Sequence, residues 1–196
     1  MKRITFLIMI CISLMSFGQE LTKDKIDLEY EKTLENLNNY KQLLVVDTVQ
    51  EGVVDTTFFY LKNDKIKYIQ HLSVSGGLAM IEGRSSEEFL YIEDNLVFKR
   101  YYSRSDHLEY GISDSSTTEA SEQFTYLKSN GECLIQYYPR EAEGTRLTFL
   151  ENLKKTPLKV RDCMYFSPDT KKDGEKYLKK LIDKYPEYNH SVRLKL

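Results

Sequence analysis

Ser105, Asp106 and His107 are the residues of this chain whose types together match a nucleophile, an acid and a base. A catalytic triad is assembled in space from separated segments, and three consecutive residues of a loop do not normally converge on one point. Asp106 and His107, together with Glu109, also carry metal-binding atoms, yet nothing in their spacing selects a metal. We therefore interpret this stretch as a solvated loop and predict no metal site.

His71 and two acidic pairs are the remaining candidates for acid and base chemistry. His71 falls in a predicted strand, where we interpret it as a tolerated sheet residue rather than a base or a ligand. Glu87-Glu88 and Glu93-Asp94 supply paired carboxylates, which glycoside hydrolysis needs on the two sides of a cleft, but here they flank a strand and occupy a turn. The chain has no G-x-S-x-G elbow, no phosphate-binding glycine loop and no H-E-x-x-H sequence. The sequence thus predicts no catalytic residue and no cofactor.

Tyrosine is the residue type that points to binding, with 15 tyrosines and no tryptophan in the chain. Tyr101-Tyr102 and Tyr137-Tyr138 stand at corresponding ends of two predicted strands. A tyrosine combines apolar area with a hydroxyl at a small entropic cost, which suits the recognition of protein or sugar surfaces. Tyrosine is also a favoured strand former, so the alternative is that these residues only build the sheet. We take all four as candidate binding residues for a protein or a glycan.

The stretch from Ser103 to Glu122 is a second binding candidate because it is rich in Ser, Thr, Asp and Glu. It is too long for an ordinary hairpin connection, and long loops in compact domains are either functional or disordered. Disorder is the interpretation that the composition favours.

The elements that must position these residues are predicted by a threefold pattern. One template of alternating aromatic residues followed by Asn or Asp occurs at residues 58–64, 89–95 and 124–130. Each copy is followed by an apolar return segment, at residues 65–72, 96–102 and 133–138. A strand, a polar turn and a return strand make a β-hairpin, and Asn130-Gly131 is the strongest single hairpin signal. The sequence therefore predicts an antiparallel meander of about six to eight strands.

Alternation along these strands predicts how the side chains divide between the two faces of the sheet. The aromatic residues expected on one face are Phe58, Tyr60, Phe89, Tyr91, Phe124 and Tyr126, and the aliphatic residues expected on the other are Leu61, Ile92 and Leu127. Because both faces are apolar, neither is expected to be fully exposed to water. We expect helices to cover the aliphatic face, and the aromatic face to be either closed over or only partly covered.

Two amphipathic segments are predicted to supply those helices. Residues 22–44 have apolar side chains at steps of three and four, and Thr22 can cap the first turn. Ser167, Pro168 and Asp169 form a second helix start, and Pro186 ends that helix. Residues 146–154 fit either a helix or a strand, and residues 192–196 fit a last short strand.

The N-terminus predicts export. Lys2 and Arg3 precede a short apolar run, and Ser16 and Gly18 are small residues placed for cleavage before Gln19. The alternative is a membrane anchor, but the run is shorter than the ~20 residues that a spanning helix requires. If residues 1–18 are removed, 26 of the 28 basic residues and all 30 acidic residues remain, a net charge of −4. Nucleic acid is therefore a poor partner.

Cys133 and Cys163 are the cysteines that remain after that cleavage. In an oxidising compartment two remaining thiols favour one disulfide, and the alternative is two separately buried thiols. A disulfide that closes a loop of this size would stabilise the fold by ~3 to 4 kcal/mol.

The repeated aromatic strands and Asn/Asp turns, behind a segment ending in Ser16-Phe17-Gly18-Gln19, resemble uncharacterised exported β-hairpin-repeat proteins of Gram-negative bacteria and, more distantly, MORN-type repeats. The resemblance covers about residues 56–140, and it lacks the regularly placed glycines and the Trp of the MORN pattern. It implies a binding or scaffold role.

Together these patterns predict a signal peptide over residues 1–18 and one α+β domain over residues 19–196, an antiparallel hairpin-repeat sheet flanked by N-terminal and C-terminal helices. Within it we expect a helix at 19–44, the sheet at 45–140 and a C-terminal helical segment at 141–196. The expected function is a non-enzymatic binding or scaffold module, periplasmic or secreted, for an unknown protein or glycan. The alternatives are a secreted hydrolase whose acids converge only in the fold, and an inhibitory or structural partner of an envelope protein.

Overall fold

The computed structural model describes residues 21–50, 52–76, 81–107, 117–145, 148–165 and 169–189. The expected signal peptide at 1–18 and the expected last strand at 192–196 lie outside these ranges. Within them the chain forms nine strands and three α-helices.

The fold is α+β, with one antiparallel meander between an N-terminal and a C-terminal helix, which confirms the predicted class. The sheet order is β1-β2-β3-β4-β5-β6-β7-β9, and β8 pairs with β6 beside β7. The strands are β1 (Lys41–Gln50), β2 (Val53–Lys62), β3 (Lys65–Gly76), β4 (Ile81–Ile92), β5 (Asn95–His107), β6 (Thr117–Leu127), β7 (Cys133–Tyr137), β8 (Arg140–Gly144) and β9 (Val160–Arg161). The helices are α1 (Lys23–Glu35), α2 (Phe149–Lys155) and α3 (Asp169–Lys184).

Short polar loops close the three predicted hairpins at one end of the sheet. Asn63 and Asp64 between β2 and β3, and Glu93 and Asp94 between β4 and β5, have φ values from 51° to 66°. Two central residues with positive φ make a type I′ turn, whose twist matches that of the flanking strands. The turn after β6 is a longer loop in which Gly131 takes the left-handed position, with φ 86°. The Asn130-Gly131 signal therefore marks a hairpin, but through the longer turn type.

Each return strand also carries one extra residue near its start. The register shifts by one at Lys67, Val97 and Leu134, so that each of them is unmatched in the pairing with the preceding strand. Such a β-bulge places two successive side chains on one side of the sheet. Val97 and Phe98 accordingly join the same buried cluster as Ile26 of α1. The repeat thus extends from the sequence template to the backbone geometry.

We call the two sides of the sheet the α1 face and the α3 face, after the helices that cover them. On the α1 face, Ile26 packs with Leu90, Phe98 and Tyr126. On the α3 face, the buried cluster consists of Val45, Phe59, Leu61, Ile66, Ile69, Phe89, Tyr91, Leu96, Leu127, Tyr177, Leu178, Leu181 and Tyr188. Helices therefore cover part of both faces.

The expectation of one wholly aromatic face is wrong for the second hairpin. Tyr60 lies opposite Tyr68, and Tyr68 lies opposite Leu90, so that Leu90 rather than Tyr91 shares the face of Tyr60. Phe89 and Tyr91 instead pack under α3. The physical reason is the turn: the second turn begins one residue earlier in the template than the first, and a slip of one residue moves every side chain to the other face.

The N-terminal helix is shorter than predicted. Thr22 caps it as expected, because its side chain accepts a hydrogen bond from the backbone of Lys25. The helix ends at Glu35, and β1 begins at Lys41, so the predicted helix over residues 22–44 is wrong beyond residue 35. A run of asparagines follows the helix, and asparagine favours caps and turns over helix interiors. From Lys41 onward the side chains alternate between the two faces of a strand, so Leu44 belongs to β1 and not to the predicted helical stripe.

The predicted long loop from Ser103 to Glu122 is also corrected. β5 continues to His107 and β6 begins at Thr117, so both ends of this stretch are paired strand, and residues 108–116 lie outside the described ranges. Polar composition misled the prediction because the alternate side chains of these strands, such as Thr118 and Ala120, are buried while their neighbours are exposed.

The C-terminal part supplies two helices and a disulfide. Of the two alternatives for residues 146–154, the helix is correct over residues 149–154, which belong to α2. Phe149 and Leu153 of this helix pack against Ala120 of β6. The predicted disulfide between Cys133 and Cys163 is confirmed, with a sequence separation of 30. It connects β7 to the segment that leads into α3.

Candidate functional site

An ion-pair network crosses four strands on the α1 face of the sheet. We call it the arginine cluster. Arg100 donates to Glu88 at 3.0 Å and to Glu122 at 2.7 Å, and Arg140 donates to the second oxygen of Glu122 at 2.8 Å. The Tyr30 hydroxyl of α1 donates to the second oxygen of Glu88. Both carboxylates are therefore bound on both oxygens.

Cross-strand register explains why these residues meet. Glu88 of β4 is directly opposite Arg100 of β5, and Glu122 of β6 is directly opposite Arg140 of β8. Opposite charges at paired positions of one face attract each other, and burial strengthens that attraction. Burial by itself would lower the pKa of Arg100, but the two carboxylates outweigh it and raise that pKa.

The arginine cluster is suited to holding strands together rather than to chemistry. Glu88 and Glu122 are each only 4% exposed, and their charges are balanced by the two arginines. Burial, followed by the charge of Glu88, raises the pKa of Tyr30, so its hydroxyl stays protonated as a donor. The sequence does not reveal this network because the bulge in β5 changes which residues are paired.

A second polar group, the histidine cluster, lies on the α3 face. It consists of Asp55, Thr57, His71, Glu87, Lys99, Asp173 and Tyr177. Thr57 Oγ1 lies 3.0 Å from His71 Nδ1, and His71 Nε2 lies 3.8 Å from Asp55 Oδ2. A hydroxyl, an imidazole and a carboxylate thus stand in line, which is the combination that activates a nucleophile.

Tyr177 of α3 covers this line of residues. Its ring centroid lies 4.6 Å from that of His71, and its hydroxyl donates to Glu87 at 2.6 Å. Thr57 is 1% exposed and His71 is 7% exposed, so no substrate can approach the hydroxyl in this arrangement. Burial lowers the pKa of His71, with Asp55 opposing the shift. His71 is therefore a sheet residue, as predicted, and the structure adds that it is buried and contacts Thr57 and Tyr177.

One lysine bridges two carboxylates at the other end of the histidine cluster. Lys99 lies 3.0 Å from Glu87 and 2.6 Å from Asp173 of α3. Burial would raise the pKa of Glu87, but the hydrogen bond from Tyr177 and the charge of Lys99 outweigh burial and lower it. The paired acids Glu87 and Glu88 point to opposite faces of β4, so they do not form the two sides of a cleft.

The Ser105-Asp106-His107 stretch is strand, not the predicted solvated loop. Asp106 is 1% exposed and accepts hydrogen bonds from Thr118 at 2.7 Å and from Arg104 at 2.9 Å. Its neighbours Ser105 and His107 lie on the opposite face of the sheet because successive residues of a strand alternate. Within the described residues, no group of three or more His, Cys, Asp or Glu side chains is placed to hold a metal ion.

The four candidate tyrosines do not form one surface. Tyr137 is 9% exposed and packs edge-on to Tyr126, and Tyr102 is half-buried beside α2. Tyr101 and Tyr138 are exposed, at 36% and 47%. Tyr102 and Tyr137 contribute to the packing of the sheet, and a binding role for each of the four stays a prediction.

An uncovered apolar area occupies the end of the α1 face that α1 does not reach. We call it the open patch, and it consists of Leu44, Val46, Val54 and Val74, which are 38%, 49%, 44% and 43% exposed. Val54 pairs with Val74, and Leu44 and Val46 alternate along β1, so these side chains share one face of the first three strands. The open patch is not predicted from the sequence because Leu44 fits the helical stripe of residues 22–44.

A polar groove of about 640 Å³ lies between the end of α1 and the first hairpin turn. Its lining consists of Glu29, Lys32, Asn36, Asn39, Tyr40, Lys41, Leu61, Lys62, Asn63 and Asp64. Asn36 donates to the backbone of Lys32 at 2.7 Å, and Asn39 donates to the Asn36 side chain at 3.2 Å. Mixed charges and internally bonded amides give this groove no preference for one class of ligand.

Comparison with protein-family models, with curated proteins and with solved structures gives no match to this chain. Among the described residues, none of the helices combines the length and the apolar character that a bilayer span requires. The function must therefore be inferred from the surfaces and side chains themselves.

Proposed function

We propose that this chain is an exported, non-enzymatic binding module whose β1 edge takes up an extended strand of a protein partner. The observation that carries the proposal is that β1, ten residues long, pairs only with β2 in the described part of the chain. An edge strand directs backbone N–H and C=O groups outward, and a further strand can pair with them. In strand addition these main-chain bonds supply the affinity.

The open patch supplies side-chain contacts for the same partner. Leu44 and Val46 lie on β1 itself, and Val54 and Val74 continue the apolar surface onto β2 and β3. An exposed apolar area of this kind beside an edge strand is typical of an interaction site. Alternate residues of an added strand would rest on this area and give specificity.

The two ends of the sheet differ, which favours β1 as the binding edge. At the far end, β9 has two residues and β8 has five, and α2 packs beside β8 on the α1 face. Short edge strands covered by other elements are how proteins protect a sheet against added strands. β1 is longer than either of these strands, and the described contacts of the C-terminal segment reach it at Lys41, Leu44 and Asp47.

Closure of both polar clusters favours binding over the hydrolase alternative. A hydrolase needs a nucleophile or paired acids that a substrate can reach. Thr57 and His71 are buried under Tyr177, and Glu88 and Glu122 are bound on all four carboxylate oxygens. The apolar N-terminal run and the Cys133–Cys163 disulfide support an oxidising location, periplasmic or extracellular.

Site-specific photo-crosslinking tests the proposal. We place p-benzoylphenylalanine at Val46 in the exported protein, with a matched control at Leu150 on α2, because both side chains are 49% exposed. After irradiation in envelope extract, we expect a discrete product for position 46 that the position-150 protein does not give. The purified partner must then slow amide hydrogen exchange in residues 41–47.

Three results would contradict the proposal. They are the absence of any product at position 46, identical products at both positions, and a partner that leaves exchange in β1 unchanged. Capture without added protection of β1 does not count as support, because an exposed apolar side chain can trap proteins that happen to be near it.

A further inference from the structure

We infer that the strand taken up by β1 is β1 of a second copy of this chain, paired antiparallel about a two-fold axis at Leu44. This inference rests on the proposed function, since it names the partner of the same edge. Homodimers with two-fold symmetry are the commonest oligomers, and a two-fold interface must be complementary to itself. The sequence of β1 meets that condition in one register.

Two-fold symmetry limits the possible registers of such a pair. Directly opposite residues of antiparallel strands lie on the same face of the sheet, so residue i must pair with a residue of the same parity. With the axis at Leu44, the positions of each pair add up to 88. Leu44 then faces its own copy, Leu43 faces Val45, and Lys41 faces Asp47.

Charge complementarity selects this register. Lys41 and Asp47 lie at the two ends of the central part of β1 and share its α3 face, because they pair with Leu61 and Asp55 of β2. Two-fold pairing about Leu44 therefore makes two Lys41–Asp47 contacts, and the central pairs between them, Leu43 with Val45 and Leu44 with Leu44, are apolar. Shifting the axis by one residue to Val45 would place Asp47 opposite Leu43 and would lose both contacts.

Both charged side chains can reach across the interface. Lys41 is exposed, with its ammonium group 4.9 Å from the centre of the Tyr188 ring. Asp47 has a side chain that is 42% exposed and accepts from Lys180 at 2.6 Å, which leaves acceptor sites on its carboxylate. Opposite residues of paired strands stand about 5 Å apart, well within the reach of a lysine.

A hydrogen bond already reaches the backbone of this edge. The Tyr185 hydroxyl donates to the backbone oxygen of Leu44 at 3.0 Å. A carbonyl oxygen has two lone pairs and can accept a second bond, so this contact is compatible with a partner strand. On the other face, Leu44 and Val46 would join the open patches of the two copies across the axis.

Charge reversal gives a sharp test by sedimentation velocity on the exported protein. Lys41→Glu places Glu opposite Asp47, and Asp47→Lys places Lys opposite Lys41, so each variant alone has two like-charged contacts. Mixing the two variants restores two opposite-charged contacts in the mixed dimer. We expect the wild-type protein to dimerise, each variant to dimerise about tenfold more weakly, and the mixture to recover the wild-type affinity.

Glu151→Lys is the matched control, because Glu151 pairs with Lys155 on α2, where both side chains are 68% exposed. This variant should dimerise like the wild type. Recovery in the mixture also shows that neither β1 variant is merely misfolded. The inference is overturned if the wild-type protein stays monomeric at high micromolar concentration, or if the mixture is as weak as its components.

The same measurements separate the two proposals. Suppose that the protein is monomeric, but position 46 captures a different protein that slows amide hydrogen exchange in β1. This result overturns only the inference that the partner is a second copy. A monomeric protein with no capture at position 46 overturns the use of the β1 edge altogether.

Discussion

Individual residues of the arginine cluster show how this sheet tolerates buried charge. Arg100 and Arg140 converge on the two oxygens of Glu122, and each charge has a partner of opposite sign at a paired position. Buried ion pairs seldom stabilise a fold more than apolar residues would, but the loss of one partner is costly because the other is left without compensation. Glu122 is the shared partner of both arginines.

Glu122→Gln should therefore lower the free energy of unfolding by about 3 kcal/mol, the lower end of the range for a broken buried pair, because the Arg100 side chain is 29% exposed. Urea denaturation followed by circular dichroism measures the change. Glu151→Gln, at an exposed pair on α2, is the control and should change stability by less than about 0.5 kcal/mol. An unchanged midpoint for Glu122→Gln would mean that water satisfies both arginines.

At the residue scale, the sequence indicates which side chains could carry chemistry but not which side chains they contact in the fold. His71 was recognised as a sheet residue, yet its line with Thr57 and Asp55 depends on pairing between β2 and β3. Asp106 was assigned to a solvated loop although Thr118 and Arg104 hold it in the sheet. Thr57 and Thr118 lie on strands adjacent to those of His71 and Asp106, so local spacing does not reveal them. Arg104 is only two residues from Asp106, but the two share a face only if the stretch is a strand.

At the scale of elements, the fit of α3 against the sheet depends on one glycine. A Cβ atom on Gly174 would lie 2.6 Å from the Tyr91 hydroxyl and 3.4 Å from Leu96. Helix propensity alone suggests that Ala would be better here by about 1 kcal/mol. Close approach of the helix to β4 explains why a glycine stands inside α3.

Gly174→Ala should thus destabilise the protein by about 1 to 2 kcal/mol, because the strain of overpacking exceeds the gain in helix propensity. Lys179→Ala at an exposed position of the same helix serves as the control and should have little effect. Thermal and urea unfolding of the two variants measure the difference. A more stable Gly174→Ala protein would show that α3 can shift outward without loss of packing.

Element boundaries were predicted well where turn chemistry was clear and poorly elsewhere. Asn63-Asp64 and Gly131 mark turns that the structure confirms. The second hairpin shares the aromatic template but turns one residue earlier, and that small difference exchanged its two faces. A repeat in sequence therefore did not guarantee a repeat in orientation.

At the scale of the whole molecule, the meander places sequence neighbours side by side, and one covalent bond connects its far end to the C-terminal segment. Cys133 stands at the start of β7, and Cys163 precedes α3. Replacing both cysteines by serine should lower the free energy of unfolding by about 3 to 4 kcal/mol, because the unfolded chain regains the freedom of a 30-residue loop.

Urea unfolding with and without reductant checks this prediction. Reductant should weaken the wild-type protein and leave the double serine variant unchanged, and intact mass after alkylation counts the free thiols. Two alkylated thiols in the unreduced exported protein would contradict the disulfide.

The overall architecture was predictable because the hairpin template, the turns and the C-terminal amphipathic stripe each contain local information. The open patch and the β1 edge were not predictable from the sequence, because they exist only where no other element of the described chain covers the strand. Leu44 fits a helical stripe in the sequence, and only the break after Glu35 places it on an edge.

The last helix packs back on the first strand. Lys180 pairs with Asp47, and Tyr185 reaches Leu44 across 141 positions of sequence. During synthesis, β1 and the strands beside it would leave the ribosome long before the helix that covers them. The nascent protein therefore keeps the α3 face of its sheet uncovered until nearly the whole polypeptide has been made. A product that stops before residue 169 lacks α3, so this face stays uncovered.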